Sequence, residues 1–131
     1  MRSQMGEALL RHHGGDRFEA FSAGIRPGDV LPDFTAKALA EAHYGIEGLV
    51  PKHYDVFAGE EFDYVIVLCD TVRAEAPALP VAKTRLDWKI EDPGDAKRRG
   101  VTIEEAVREN LRDIREHLMH FLEAEGPGER R

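Results

Sequence analysis

The clearest apolar pattern lies near the C-terminal end of the chain. Ile103, Val107, Leu111, Ile114, Leu118 and Phe121 recur every three or four residues, which lays them along one stripe of a helix. Thr102, with Glu105 three positions on, carries the signature of a capping box at that helix's start. A second helical pattern covers residues 4–13, with Met5, Leu9 and either His12 or His13 on one face, and Gly14-Gly15-Asp16 stops it. Pro32-Asp33 opens a third helix, from Phe34 to about His43, closed near Gly45.

Strand patterns are interleaved with these helices. Tyr64-Val65-Ile66-Val67-Leu68-Cys69 is a continuous, β-rich apolar run, as expected of a parallel strand buried on both faces. Phe18-Glu19-Ala20-Phe21-Ser22 alternates large apolar with smaller residues and predicts a short strand, ended by Ala23-Gly24 and the Pro27-Gly28 turn. Residues 84–88 predict another. Residues 45–59 predict loop or mixed structure, and 71–76 a helical turn closed by Pro77 and Pro80. Helix, strand, helix, strand, strand, helix predicts an α/β sandwich with a mostly parallel sheet. A single domain is expected over residues 1–124, with a disordered tail from 125 to 131 containing Gly126-Pro127-Gly128.

Composition narrows the function classes. The chain has 131 residues, 42% hydrophobic and 33% charged, as in ordinary globular domains. Its net charge of −7 argues against a nucleic-acid partner. Cys69 is the one cysteine, so no internal disulfide can form and a reducing compartment is expected. No apolar run is long enough to span a membrane and no signal pattern opens the chain, which leads to an expected cytoplasmic location.

Four constellations could carry chemistry. Arg2-Ser3 stands at a helix N-terminus, where free N–H groups and a planar guanidinium suit an oxyanion. A solvated arginine and a serine cap are the plainer account. Asp92, in Ile90-Glu91-Asp92-Pro93-Gly94, sits on a loop after a strand, where a general acid could stand; a simple turn is the plainer account. Cys69 ends the buried strand, at the edge that faces the ligand crevice in open α/β sheets, but no basic residue lies within three positions to activate it. It reads otherwise as a small buried hydrophobe. His12-His13 and His117-x-x-His120 have chelating spacing but no evident third ligand, so no metal or other cofactor is expected. Lys97-Arg98-Arg99 reads as an exposed loop that steers anions if it folds over the cleft.

Taken together, the segments are more specific than any of them alone. Arg2-Ser3-Gln4-Met5-Gly6-Glu7-Ala8-Leu9-Leu10, Phe21-Ser22-Ala23-Gly24-Ile25, the run Phe62 to Asp70, the run Arg85 to Pro93 and the long closing helix follow in order from Arg2 to about Leu122. In order and spacing they resemble the low-molecular-weight protein tyrosine phosphatases and their arsenate reductase relatives. Trp88 to Pro93 and Leu68-Cys69-Asp70 resemble the arsenate reductase branch.

The resemblance implies a three-layer α/β sandwich of the phosphotyrosine phosphatase I type, its parallel sheet in the order 2-1-3-4. It also implies a mechanism. A loop thiolate attacks arsenic or phosphorus, Arg2 holds the oxyanion, Ser3 steadies the thiolate and Asp92 protonates the leaving oxygen. Cys69 matches the first of two relay cysteines in thioredoxin-coupled reductases. Ala76 stands where the second would be, so the implied partner is an external thiol of thioredoxin, mycothiol or glutaredoxin type.

The family's Cys-x5-Arg loop places its nucleophile six positions before the arginine, and only Met1 precedes Arg2. The first, central strand is also unaccounted for. Either the true start lies upstream of Met1, the preferred expectation, or the chain is a natural fragment completed by a partner. Losing a central strand should cost more than the ~5–15 kcal/mol a domain has in hand. An ordered chain should therefore show a groove in that place, or a strand swapped within a homo-oligomer. The expected function is that of an arsenate reductase or phosphatase-like protein, inactive as given. The alternatives are a tyrosine phosphatase with a misplaced start and a non-catalytic anion-binding or interaction protein.

Overall fold

A computed structural model describes residues 2–23, 32–57, 59–68, 81–93 and 96–125. Helix α1 (Arg2–Gly14) buries Met5, Ala8 and Leu9 along one stripe. Arg11, His12 and His13 occupy its last turn, where cations suit the helix dipole. Gly15 follows at φ +55, a left-handed conformation that glycine adopts without strain, and a 3₁₀ turn (Gly15–Arg17) leads out.

Helix α2 (Asp33–Glu41) starts on Pro32, whose carbonyl accepts from the Thr35 and Ala36 amides at 3.0 Å. It ends two residues short of the expected His43, because His43 itself takes a left-handed conformation at φ 67. The Tyr44 amide bonds Leu39 O at 2.9 Å and the His43 amide bonds Ala40 O at 3.0 Å, a Schellman closure.

Strands β1 (Glu61–Val67) and β2 (Val81–Asp87) pair in parallel, Glu61 against Val81 through Val67 against Asp87. The Trp88 amide extends the ladder to Val67 O at 2.9 Å. Helix α3 (Ala96–Arg99) is closed by Gly100 at φ 79, with the Val101 amide on Ala96 O. Helix α4 (Ile103–Glu125) carries the expected stripe: Val107, Ile114 and Leu118 are at most 2% exposed. Its capping box is formed in both directions, Thr102 N to Glu105 Oε1 and Glu105 N to Thr102 Oγ1, each at 3.0 Å.

Helices α1 and α2 both pack on α4. Tyr64, Ile66, Leu86 and Trp88 of the sheet press on the same core. The result is an α/β arrangement with a parallel sheet and α4 at its centre.

Three expectations need correction. The strand expected at Phe18-Glu19-Ala20-Phe21-Ser22 is extended chain outside the sheet: Phe18 has strand-like angles (φ −138, ψ 147), yet the sheet of the described residues contains β1 and β2 alone. Backbone angles alone do not make a strand, because its hydrogen bonds must come from a neighbour. Second, β1 begins three residues earlier than expected, and along it only Val67 is buried. Its second edge borders a groove of about 550 Å³, faced by residues 18–23 and lined by Leu10, Ile114, Leu118 and Phe121. Third, Lys97-Arg98-Arg99 is helical rather than loop. Cys69, Ala76, the 71–76 turn and residues 126–131 lie outside the described residues.

Candidate functional site

The first turn of α1 and the stretch after β2 meet through one long-range bond. Arg2 Nη1 donates to Ile90 O at 2.7 Å, across 88 positions of sequence. Ile90 is 5% exposed and Pro93 is fully buried, and these two anchors hold between them an exposed Glu91 and an exposed Asp92. Arg2 and Ser3 are half-buried. A Cβ on Gly6 would lie 3.6 Å from Leu68 Cδ1, so the start of α1 stands at the C-terminal ends of both strands. In parallel sheets that edge is where ligands bind, and a helix N-terminus there presents its free amides to an anion. The geometry thus brings Arg2, Ser3 and the Asp92 loop to one end of the molecule. Cys69 is one residue beyond Leu68 in sequence and outside the described residues.

Two polar residues beside these were not singled out from the sequence. Glu7, one turn past Ser3, is 8% exposed and lines the groove. Its Oε1 accepts from Ser22 Oγ at 2.5 Å, and its other oxygen pairs with the Arg11 guanidinium. The spacing to Arg11 was visible as an i,i+4 pair; the bond to Ser22 was not, since it joins two separate segments. Gln4 is 4% exposed and its Nε2 has no hydrogen-bond partner among the described residues.

The basic run is exposed, as expected, and its last residue is tied down. Arg99 bridges Glu91 at 3.1 Å and Glu109 at 2.5 Å, tying the Asp92 loop to α3 and α4. The two histidine pairs are held apart by different aromatic partners, with His12 and His13 packed on Tyr44. His13 Nε2 lies 2.7 Å from the Tyr44 hydroxyl, while His117 stacks on Trp88 with ring centroids 5.2 Å apart. Burial, then the neighbouring His12 and Arg115, hold His13 below its ordinary pKa. Among the described residues no three His, Cys, Asp or Glu side chains converge as a metal site. No helix is long and apolar enough to cross a membrane, again among the described residues.

Comparison with known proteins decides the family. The family model described as low molecular weight phosphotyrosine protein phosphatase matches residues 1–127. The chain belongs to that family. Among its curated relatives, an arsenate reductase of Halalkalibacterium halodurans is 34% identical over 124 residues, covering 93% of this chain and 87% of that protein. An arsenate reductase of Bacillus cereus (strain 03BB102) is 30% identical over 123 residues, covering 93% and 86%. Among solved structures, an arsenate reductase in the phosphate binding state superposes with a TM-score of 0.74 at 25% identity, covering 92% of this chain and 87% of that one. A thioredoxin-dependent arsenate reductase of Corynebacterium glutamicum gives 0.61 at 30% identity, covering 91% of this chain and 55% of that one. The low-molecular-weight phosphatase fold, an α/β architecture with a parallel sheet, therefore stands.

Proposed function

We propose that this chain carries the oxyanion-holding and proton-donating parts of an arsenate reductase site. The observation that carries the reading is the Arg2–Ile90 hydrogen bond, because it sets the α1 N-terminus beside the Asp92 loop. In this reading the α1 amides, Arg2 and Ser3 hold arsenate. Asp92 gives its proton to the oxygen that leaves as water. Two thiols supply two electrons, arsenic(V) becomes arsenic(III), and the thiols end as a disulfide. An external thiol of thioredoxin, mycothiol or glutaredoxin type is the reductant, and Cys69 is a candidate relay thiol. The thioredoxin-dependent relative supports a partner of this kind.

Arg2, Ser3 and the α1 amides are proposed to bind the oxyanion. Isothermal titration with arsenate and with phosphate tests the site. Saturable binding that weakens at least tenfold in Arg2→Ala is expected, equivalent to about 1.4 kcal/mol. Equal binding by wild type and Arg2→Ala would sink the assignment of Arg2. Reduction of arsenate with an external thiol donor would support the reductase reading. Turnover of an aryl phosphate in its place would make the protein a phosphatase.

A further inference from the structure

The basic run that follows the Asp92 loop is not among the groups that hold the oxyanion, yet its last residue reaches back to that loop. Arg99 ends α3 with a side chain 30% exposed, and its guanidinium spans two carboxylates. Nη1 lies 3.1 Å from Glu91 Oε2, and Nη2 lies 2.5 Å from Glu109 Oε1. Glu91 is the residue immediately before Asp92, and Glu109 stands on α4. One planar fork therefore links the loop to the helix at the centre of the core.

The loop is built to need such a link. Ile90 and Pro93 are buried and fix its two ends, and Arg2 adds its bond to Ile90 O at 2.7 Å. Glu91 and Asp92 between them are exposed, so burial holds neither side chain. Fixing the Glu91 carboxylate restricts the backbone that carries Asp92. The other end of the link is itself fixed: Gly100 closes α3 at φ 79, the Val101 amide bonds Ala96 O at 3.0 Å, and Ala96 is buried. An exposed ion pair adds little to stability. What this one supplies is placement, and a catalytic group displaced by about 1 Å can lose on the order of 10²-fold in rate. The pair also balances the Glu91 charge, one residue from the carbonyl that Arg2 holds, where an unpaired carboxylate would repel an oxyanion.

We propose that Arg99 is a positioning residue for Asp92, holding the loop by its Glu91 carboxylate against α3 and α4. It acts through Glu91 and does not touch the oxyanion. The proposal rests on the reading of Asp92 as proton donor, so its test measures the order of the loop apart from its response to an anion.

NMR of the ¹⁵N-labelled 131-residue chain follows the Glu91 and Asp92 amides, with and without saturating inorganic phosphate. Both amides should be rigid in the wild type, with order parameters of about 0.85, and should fall below about 0.6 in Arg99→Gln and in Glu91→Gln. The double variant Arg99→Gln/Glu91→Gln should be no looser than either single one, because the two side chains act as a unit. Arg108→Gln, which removes the exposed α4 pair to Glu41 at 3.8 Å, should leave the loop unchanged. Phosphate should shift the Asp92 amide signal in the wild type, and that shift should shrink at least twofold in Arg99→Gln while far-UV dichroism is unchanged. An ion pair with a merely structural role would alter the melting temperature and leave the phosphate response as it was. Equal order parameters in wild type and Arg99→Gln overturn the proposal, as does an undiminished phosphate response in that variant. Where Arg99→Gln does not fold, Glu91→Gln decides by the same signals. A wild-type Asp92 signal that ignores phosphate overturns the reading of Asp92 instead, and the order parameters alone then judge the hold of Arg99 on the loop.

Discussion

Glu7 is an ionisable side chain held out of water at the wall of the groove, and its neighbours explain why it is tolerated. Ser22 Oγ donates to one carboxylate oxygen and Arg11 pairs with the other. Ser22→Ala removes a bond to a charged acceptor and should cost about 1.5–3 kcal/mol. Urea denaturation of the two proteins, with m unchanged, checks it. The Arg11 side chain is 41% exposed, so its ion pair contributes less than its geometry suggests.

His13 sets a pH dependence. Its folded pKa lies below the ordinary 6.5, chiefly through burial, so the folded state favours the neutral ring. The unfolded chain therefore binds more protons than the folded one as pH falls below 6.5. Stability from this group is complete above that value and is lost as pH drops through the folded pKa. In His13→Gln the loss of stability from neutral pH down to mildly acidic pH should be shallower than in the wild type. Parallel slopes in urea titrations across that range would remove His13 as the cause.

At the scale of elements, α4 is the member whose formation was most legible. Its stripe and its capping box are both local, and both are formed. Thr102→Ala should cost about 1 kcal/mol, within the range for lost N-caps. Thermal denaturation followed by dichroism reads that loss. Glu105 is held below its ordinary pKa first by the Thr102 backbone hydrogen bond and then by the Thr102 hydroxyl; the variant loses the second, so Glu105 should titrate somewhat closer to an ordinary glutamate.

Less local elements were harder to read. Residues 18–22 alternate like a strand, but the chain there runs beside a groove and joins no ladder among the described residues. Ala96–Arg99 looked like solvated loop because three of its four residues are cations. Its helical turn is secured by Gly100 and by the Arg99 bridges to Glu91 and Glu109, and the latter lie in other segments.

At the scale of the molecule, the core is asymmetric. Met5, Leu9, Leu39, Ile114 and Leu118 are fully buried or nearly so where α1, α2 and α4 meet. The strands contribute fewer such residues, and Phe21, beside the groove, is 49% exposed. The groove exposes apolar side chains, Leu10, Ile114, Leu118 and Phe121 among them, on which a hydrophobic dye can settle. An anilinonaphthalene dye should therefore bind while near-UV dichroism is fully retained, which separates a native groove from a loosened core. No dye binding under native conditions would mean that the groove is closed in solution.

What the sequence determined by itself were features with short reach. Helix periods, the Thr102–Glu105 cap, the apolar run from Tyr64 to Cys69 and the order of motifs shared with the family depend on neighbours a few residues apart. The tertiary structure alone decided which distant groups meet. It joined Arg2 to Ile90 and Ser22 to Glu7, kept residues 18–22 out of the sheet, and left β1 with an edge facing a groove. The physical reason is that hydrogen bonds and apolar burial between separate segments are specified by packing, and no local pattern encodes the partner's position.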